Sequence, residues 1–234
     1  MHNKKKYFIT KPMDAASVII LKFYRHRQYV LMGRRPENSK FMPGVYVFPG
    51  GATDKDDFII NKNSILKSQP YKHKLKTRNE RHSSAIFNTA IRETYEETGL
   101  YLSCKAKRNY NPQHLKGIFK DNFNKFSLVP NSKKLTFFGR AITPAFLKKR
   151  FHARFFLSFF NDFNGIIRSN GELEDLNWFG LLEAKKKNIA DVTEFMLDRL
   201  IDLDGNFNLL GDNFSYPMFT WRKNKRWVKW ECFT

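Results

Sequence analysis

Three glutamates constrain this chain more than any other feature. Glu93, Glu96 and Glu97 stand at i, i+3 and i+4 in the segment with the clearest helical signature. Ser83 or Ser84 offers an N-cap, Ala85, Ile86, Ala90 and Ile91 continue the run, and Gly99 stands where helices commonly end. At that spacing all three carboxylates leave one face of the helix. Like charges so placed cost a few tenths of a kcal/mol each on an exposed helix, and more on a half-buried one. Either the face is a solvated acidic surface, as a bare ExxEE commonly is, or a hard dication neutralises it. Magnesium and manganese suit such all-oxygen ligation.

The surroundings favour the cation. Arg92 adjoins the first glutamate, Gly99 closes the helix, and a short strand at 45–48 ends at Pro49-Gly50-Gly51, where two glycines permit a tight bend close to another group. The rest of the chain reads as mixed α and β. A β-branched run at 17–23 and another at 28–32 form a hairpin. Residues 112–126 look helical, 135–142, 153–160 and 173–179 look like strands, and 181–187 is a short helix. Val192, Phe195, Met196 and Leu200 recur at helical spacing as a core-facing stripe. Residues 53–81 show no sustained period and read as an insertion, because structureless loops of that length are uncommon inside a compact domain. No internal repeat and no GxxxxGK[ST] phosphate loop is present.

Taken together, Arg92-Glu93-Thr94-Tyr95-Glu96-Glu97-Thr98-Gly99-Leu100 resembles the second half of the Nudix box, GX5EX7REUXEEXGU, in which U is a bulky aliphatic residue. The resemblance implies an α/β/α sandwich with a mixed sheet, in which a loop, a helix and a loop bind metal that activates water and neutralises a diphosphate. On the matching positions, Gly51 opens the box and can offer a backbone carbonyl to the metal. Glu93, Glu96 and Glu97 are the expected ligands and catalytic carboxylates, and Arg92 orients the helix by pairing with a carboxylate.

Three departures stand out. Glu93 lies 42 positions beyond Gly51, where the box has 15, so 27 residues are inserted. Eight positions before Arg92, where the box's first glutamate would fall, stands Ser84. Thr94 replaces the bulky aliphatic residue.

A box split by an insertion resembles the branch of nucleoside diphosphate-linked moiety X motif 19 proteins, some of which hydrolyse coenzyme A and acyl-coenzyme A. The segments 141–156, with Thr143-Pro144 and Arg150-Phe151-His152-Ala153-Arg154-Phe155-Phe156, and 171–179 agree with that branch, and the similarity spans about residues 17–195. Glu172 or Glu174 can approach the metal as general base or further ligand, with surface charge the alternative for each. Arg150 and Arg154 can hold substrate phosphates through bidentate hydrogen bonds, although Arg154 beside a strand can equally be a surface cation.

The formal charge of +20, from 42 Lys and Arg against 22 Asp and Glu, attracts phosphates, nucleic acids and anionic membranes alike without choosing among them. The stretches Asn3-Lys4-Lys5-Lys6 and Lys185-Lys186-Lys187-Asn188 can also reflect composition bias. Hydrophobic residues at 41%, with 24 Phe, are ample for a packed core and argue against disorder. The expectation is one domain over 1–234, with the insertion at about 53–81 and a basic, Trp-rich tail at about 205–234. That tail is either a terminal strand pair or a base-stacking surface.

Cys104 and Cys232 make neither a disulfide framework nor a zinc site. With no secretory or membrane-spanning run, a cytoplasmic protein is expected. The expected reaction is metal-dependent hydrolysis of a nucleotide-like diphosphate: coenzyme A or acyl-coenzyme A first, otherwise NADH, a nucleotide sugar or an NTP. The rival is a non-catalytic nucleotide- or RNA-binding module. No membrane partner is expected, nucleic acid is not favoured, and a homodimer is allowed without an evident interface.

Overall fold

A computed structural model describes residues 10–59, 70–210 and 214–232. Asn3 to Lys6, the middle of the insertion, and residues 211–213 and 233–234 of the tail lie outside them. The first hairpin is longer than its β-branched runs. Strands β1 (Met13–Tyr24) and β2 (Arg27–Arg34) are joined by Arg25 and His26, both left-handed at φ 47° and 59°. Two left-handed residues in succession form the tight turn whose twist matches that of paired strands.

β1 runs through the middle of a nine-stranded mixed sheet. On one side it pairs in parallel with β8 (Phe151–Phe159), which pairs antiparallel with β7 (Thr136–Ile142). β10 (Tyr216–Arg222) follows in parallel, and β11 (Lys225–Glu231) ends that side. On the other side β2 carries β3 (Tyr46–Val47) and β9 (Glu174–Gly180), while β4 (Gly50–Ala52) pairs with the start of β1. The tail is therefore a strand pair.

Alternation of side chains across β1 builds two cores. Ala16, Val18 and Ile20 pack with Ile86, Phe87, Ala90 and Ile91 of helix α2 (Glu80–Thr98). Ile19 and Leu21 face the opposite way, against Met196, Leu197 and Leu200 of helix α5 (Asp191–Leu203). Each such fully buried aliphatic side chain contributes about 1.5–3 kcal/mol. Helix, sheet and helix form the expected α/β/α sandwich.

Three details differ from the sequence reading. α2 starts earlier than Ser83 or Ser84: Asn79 caps it, its side-chain oxygen accepting from the His82 N–H at 2.9 Å, while Ser83 lies inside the helix. Helix α1 (Pro70–Leu75) and a capped turn over Lys55–Asp57 lie within the insertion. A small two-stranded sheet, β5 (Ser103–Lys105) with β6 (Leu128–Pro130), brackets α3 (Gly117–Phe126), and its three-residue strands are too short to show a period. The short helix α4 (Leu181–Ala184) follows β9.

Candidate active site

The glycine bend and α2 meet where β4 joins β1. Gly50 has φ +155°, and a Cβ there would lie 2.4 Å from the Ala16 carbonyl and from the Ser17 hydroxyl, so only glycine fits. A Cβ on Gly51 would lie 2.5 Å from the Glu93 carboxylate. The bend thus comes hard against the acidic face of the helix. Glu97 is buried, and its Oε2 accepts the Gly50 N–H at 2.8 Å. Glu172, exposed on the loop before β9, completes the group: one carboxylate oxygen each from Glu93, Glu97 and Glu172 lie within 4.8 Å of one another.

Burial dominates the electrostatics of this group. It pushes the Glu97 carboxyl up to about 8; the Gly50 N–H opposes the shift, Glu93 and Glu172 add to it, and the nearby Arg35 charge draws it down. Burial likewise lifts Glu93 to about 7, although Arg92 beside it pulls the other way. Three acids crowded together, two of them deprived of water, form a donor set that a hard cation would relieve.

Arg92 pairs with three carboxylates, and its main partner is one that the sequence reading missed. Its Nε donates to Asp57 Oδ1 at 2.8 Å and its Nη2 to Asp57 Oδ2 at 2.9 Å, while Nη1 reaches Glu93 at 2.9 Å and Glu96 at 2.8 Å. Burial works against the Arg92 charge, yet Asp57, Glu93 and Glu96 outweigh it and hold its pKa above the ordinary value. Asp57 is itself fully buried and also accepts from Thr89 at 2.9 Å and from the Asp54 N–H at 2.9 Å. The signal was in the spacing. Counted forward from Gly51, the sixth residue is Asp57, where the box has its first acid; counted back from Arg92, the eighth is Ser84. The insertion therefore falls between Asp57 and Arg92.

The other expected site residues divide. Glu96 turns to Arg92 and stays outside the three-oxygen group. Glu174 does not join it either: its carboxylate accepts from Arg34 at 2.6 Å, so of the two late glutamates only Glu172 reaches the site.

Arg150 and Arg154 depart from their expected role. Arg150 is buried and donates to the carbonyls of Thr143 and Thr10, pinning the neck of the 143–150 loop. Arg154, 1% exposed, donates to the Leu75 and His152 carbonyls and pairs with Asp14, which also bonds His82 of α2. Both guanidiniums are engaged in tying strands together, and Arg154 is no surface cation. Arg35, which sequence reasoning passed over, is the arginine whose charge acts on Glu97, and its Nε is anchored on the Phe41 carbonyl at 2.8 Å.

A glycine bend set against a helix that gathers carboxylates, on this α/β/α frame, is the arrangement that the resemblance to the Nudix box implies. Known proteins agree. A NUDIX hydrolase from Alicyclobacillus acidocaldarius superposes with a TM-score of 0.62 at 20% identity, over 87% of this chain and 97% of that one. In sequence the chain is 28% identical over 178 residues to the Caenorhabditis elegans protein named "Putative nudix hydrolase 7", a match covering 73% of this chain and 52% of that protein. This chain thus spans about half the length of the curated relative it matches. No family model matches it. The chain is thus similar in sequence to a protein named as a nudix hydrolase, and its fold is that of the solved NUDIX hydrolase.

Proposed function

We propose that this protein is a divalent-metal-dependent Nudix pyrophosphohydrolase that splits the phosphoanhydride bond of a nucleoside diphosphate linked to a second moiety. The observation that carries this reading is the convergence of Glu93, Glu97 and Glu172 against Gly50 and Gly51. Their oxygens suit magnesium or manganese, which when bound supplies Lewis acidity toward phosphoryl oxygens and makes water a stronger acid.

The chain's own residues divide the remaining work. Glu93 and Glu97 would hold the ion, with the Gly50 N–H orienting the Glu97 carboxylate and Arg92 that of Glu93. Glu96 stays in reserve as a further ligand, and Gly51 offers its carbonyl beside Glu93. Glu172 is exposed and has the freedom to take the proton of an attacking water, which requires hydrogen-bond reach. Arg35 takes the phosphate-holding role that Arg150 and Arg154 do not fill. Attack at phosphorus breaks one P–O bond of the anhydride and leaves two phosphate-bearing products.

Coenzyme A or acyl-coenzyme A is the first substrate proposed, on the likeness of segments 141–156 and 171–179 to the branch with a split box. NADH, nucleotide sugars and NTPs follow. A cytoplasmic setting is proposed alongside, supported by two exposed free cysteines, Cys104 and Cys232. No helix among the described residues is long and apolar enough to cross a membrane.

The test is product release from a panel of coenzyme A, NADH and nucleotide sugars with magnesium or manganese. Glu97→Gln is expected to lower kcat by about 100-fold or more, since even the partners of metal ligands are worth about 10–100-fold. Failure of the wild type to turn over every substrate, together with tight, salt-dependent RNA binding, would favour the binding module instead.

A further inference from the structure

Glu172 approaches Glu93 and Glu97 although like charges repel, so its backbone has to hold it there. The loop that carries it, between β8 and β9, is tied down at both ends. At the near end Asn164 lies antiparallel to Tyr101, just past α2. The Tyr101 N–H donates to the Asn164 carbonyl at 2.7 Å, and the Asn164 N–H to the Tyr101 carbonyl at 2.9 Å. Nδ2 of Asn164 adds bonds to the Ser103 hydroxyl at 3.0 Å and carbonyl at 3.2 Å. Four residues on, the Arg168 N–H donates at 2.9 Å to the Thr98 carbonyl, one of the last carbonyls of α2, which have no partner within the helix. Ile167 packs against the first core between these ties.

Two glycines allow so close an approach. A Cβ on Gly99 would lie 2.6 Å from the Ile166 carbonyl oxygen, and a Cβ on Gly165 would lie 2.3 Å from the Gly99 carbonyl oxygen. Both residues have positive φ, 74° and 108°. Loop and helix end therefore meet backbone to backbone, with no room for a side chain between them. At the far end Leu173 is fully buried over Gly33, where a Cβ would lie 2.7 Å from it, and Glu174 accepts from Arg34. Between the two ends the Glu172 N–H is held by Asn170 Oδ1 at 3.0 Å.

We propose that Asn164 and Gly165 are positioning residues of the acidic site: they seat the loop on the end of α2 and so deliver Glu172 to Glu93 and Glu97. The inference rests on the reading of that group as a metal site. Neither residue touches the ion or the reacting atoms, and each acts only through Glu172. A backbone seated in this way leaves the exposed Glu172 side chain free to turn while its root stays fixed.

The test is manganese affinity of the whole chain, read by electron paramagnetic resonance without substrate. Glu172→Gln is expected to bind manganese about tenfold more weakly than the wild type, the scale for a group beside a metal. Gly165→Ala places a Cβ against the Gly99 carbonyl and has to push the loop away. It is expected to weaken manganese by about tenfold as well. Because both act through one carboxylate, the double variant should bind no more weakly than Glu172→Gln alone. Amide exchange at Tyr101 and Arg168 should quicken in Gly165→Ala, while the amides of Ile86 to Ile91 inside α2 keep their protection.

Asn164→Ala removes only the bonds to Ser103 and is the milder variant. It should loosen manganese less, again with no effect once Glu172 is Gln. Ile166→Ser, at a side chain 84% exposed, should bind as the wild type does. A wild type that binds no manganese would sink the metal reading and this proposal together. Manganese held equally by the wild type, Gly165→Ala and Asn164→Ala, or a loosening that persists in full in the Glu172→Gln background, would overturn the positioning role alone.

Discussion

Asp57 carries a large share of the site's rigidity from one fully buried side chain, holding both Nε and Nη2 of Arg92. Removing Asp57 leaves the buried Nε of Arg92 without its acceptor, with only Nη1 still paired to carboxylates, so Asp57→Ala is expected to cost about 3 kcal/mol in urea unfolding. Thr94 illustrates the opposite case. Its hydroxyl is buried and has no hydrogen-bond partner among the described residues, at a position where the box has a bulky aliphatic residue. Thr94→Val keeps the shape and removes the stranded polar group, and should raise stability by about 1 kcal/mol in the same measurement. Glu93, Glu97 and Gly51 were legible in the sequence because i, i+4 spacing on a helix and a glycine pair after a strand are local signals. The partners of Arg154 were not. Asp14 lies 140 positions away, and only parallel pairing of β1 with β8 brings it within reach.

At the scale of the element, α2 matters most, because its C-terminal half presents the acids and its N-terminal half anchors them to the sheet. Its C-terminal stop at Gly99, with φ 74° and its N–H on the Tyr95 carbonyl at 2.8 Å, was plain from residue type. Its start was not, since Ser83, Ser84 and Asn79 are all competent caps and tertiary contacts decide between them. Asn79→Ala is expected to destabilise the protein by about 1 kcal/mol, seen as a lower melting temperature, with the affinity of the acidic site for magnesium little changed. Helices and strands of seven residues or more were mostly visible beforehand. α1, β4, β5 and β6, each of six residues or fewer, were not, because a period needs more residues than these possess.

For the molecule as a whole, the acidic site sets a pH dependence that metal should reverse. In the metal-free protein burial raises Glu97 to about 8 and Glu93 to about 7, so the folded state binds more protons than the unfolded chain from about pH 4.5 upward. The stability this confers is complete below that range and is lost as pH climbs through 7 and 8. Asp14 and Glu231 act at the other end. Burial raises each, but Arg154 and His82 for the one and Arg140 for the other outweigh it, so their contribution disappears as pH falls below about 4. Melting temperatures without metal should therefore decline from mildly acidic to mildly alkaline pH, and magnesium should restore most of the loss at pH 8 while doing little at pH 5.

The insertion leaves and rejoins the frame between Asp57 and Arg92, and its roots are fastened there: Asn88 donates to the Asp57 and Ile59 carbonyls at 2.8 and 3.1 Å, and Arg81 to the Phe58 carbonyl at 3.3 Å. The near end is thus held directly by α2. Doubling or halving such an excursion changes its closure entropy by only about 0.6 kcal/mol. Changes of length in the insertion are therefore tolerable to the frame so long as Ile59 and Leu75, both buried in the core beneath α2, keep their places.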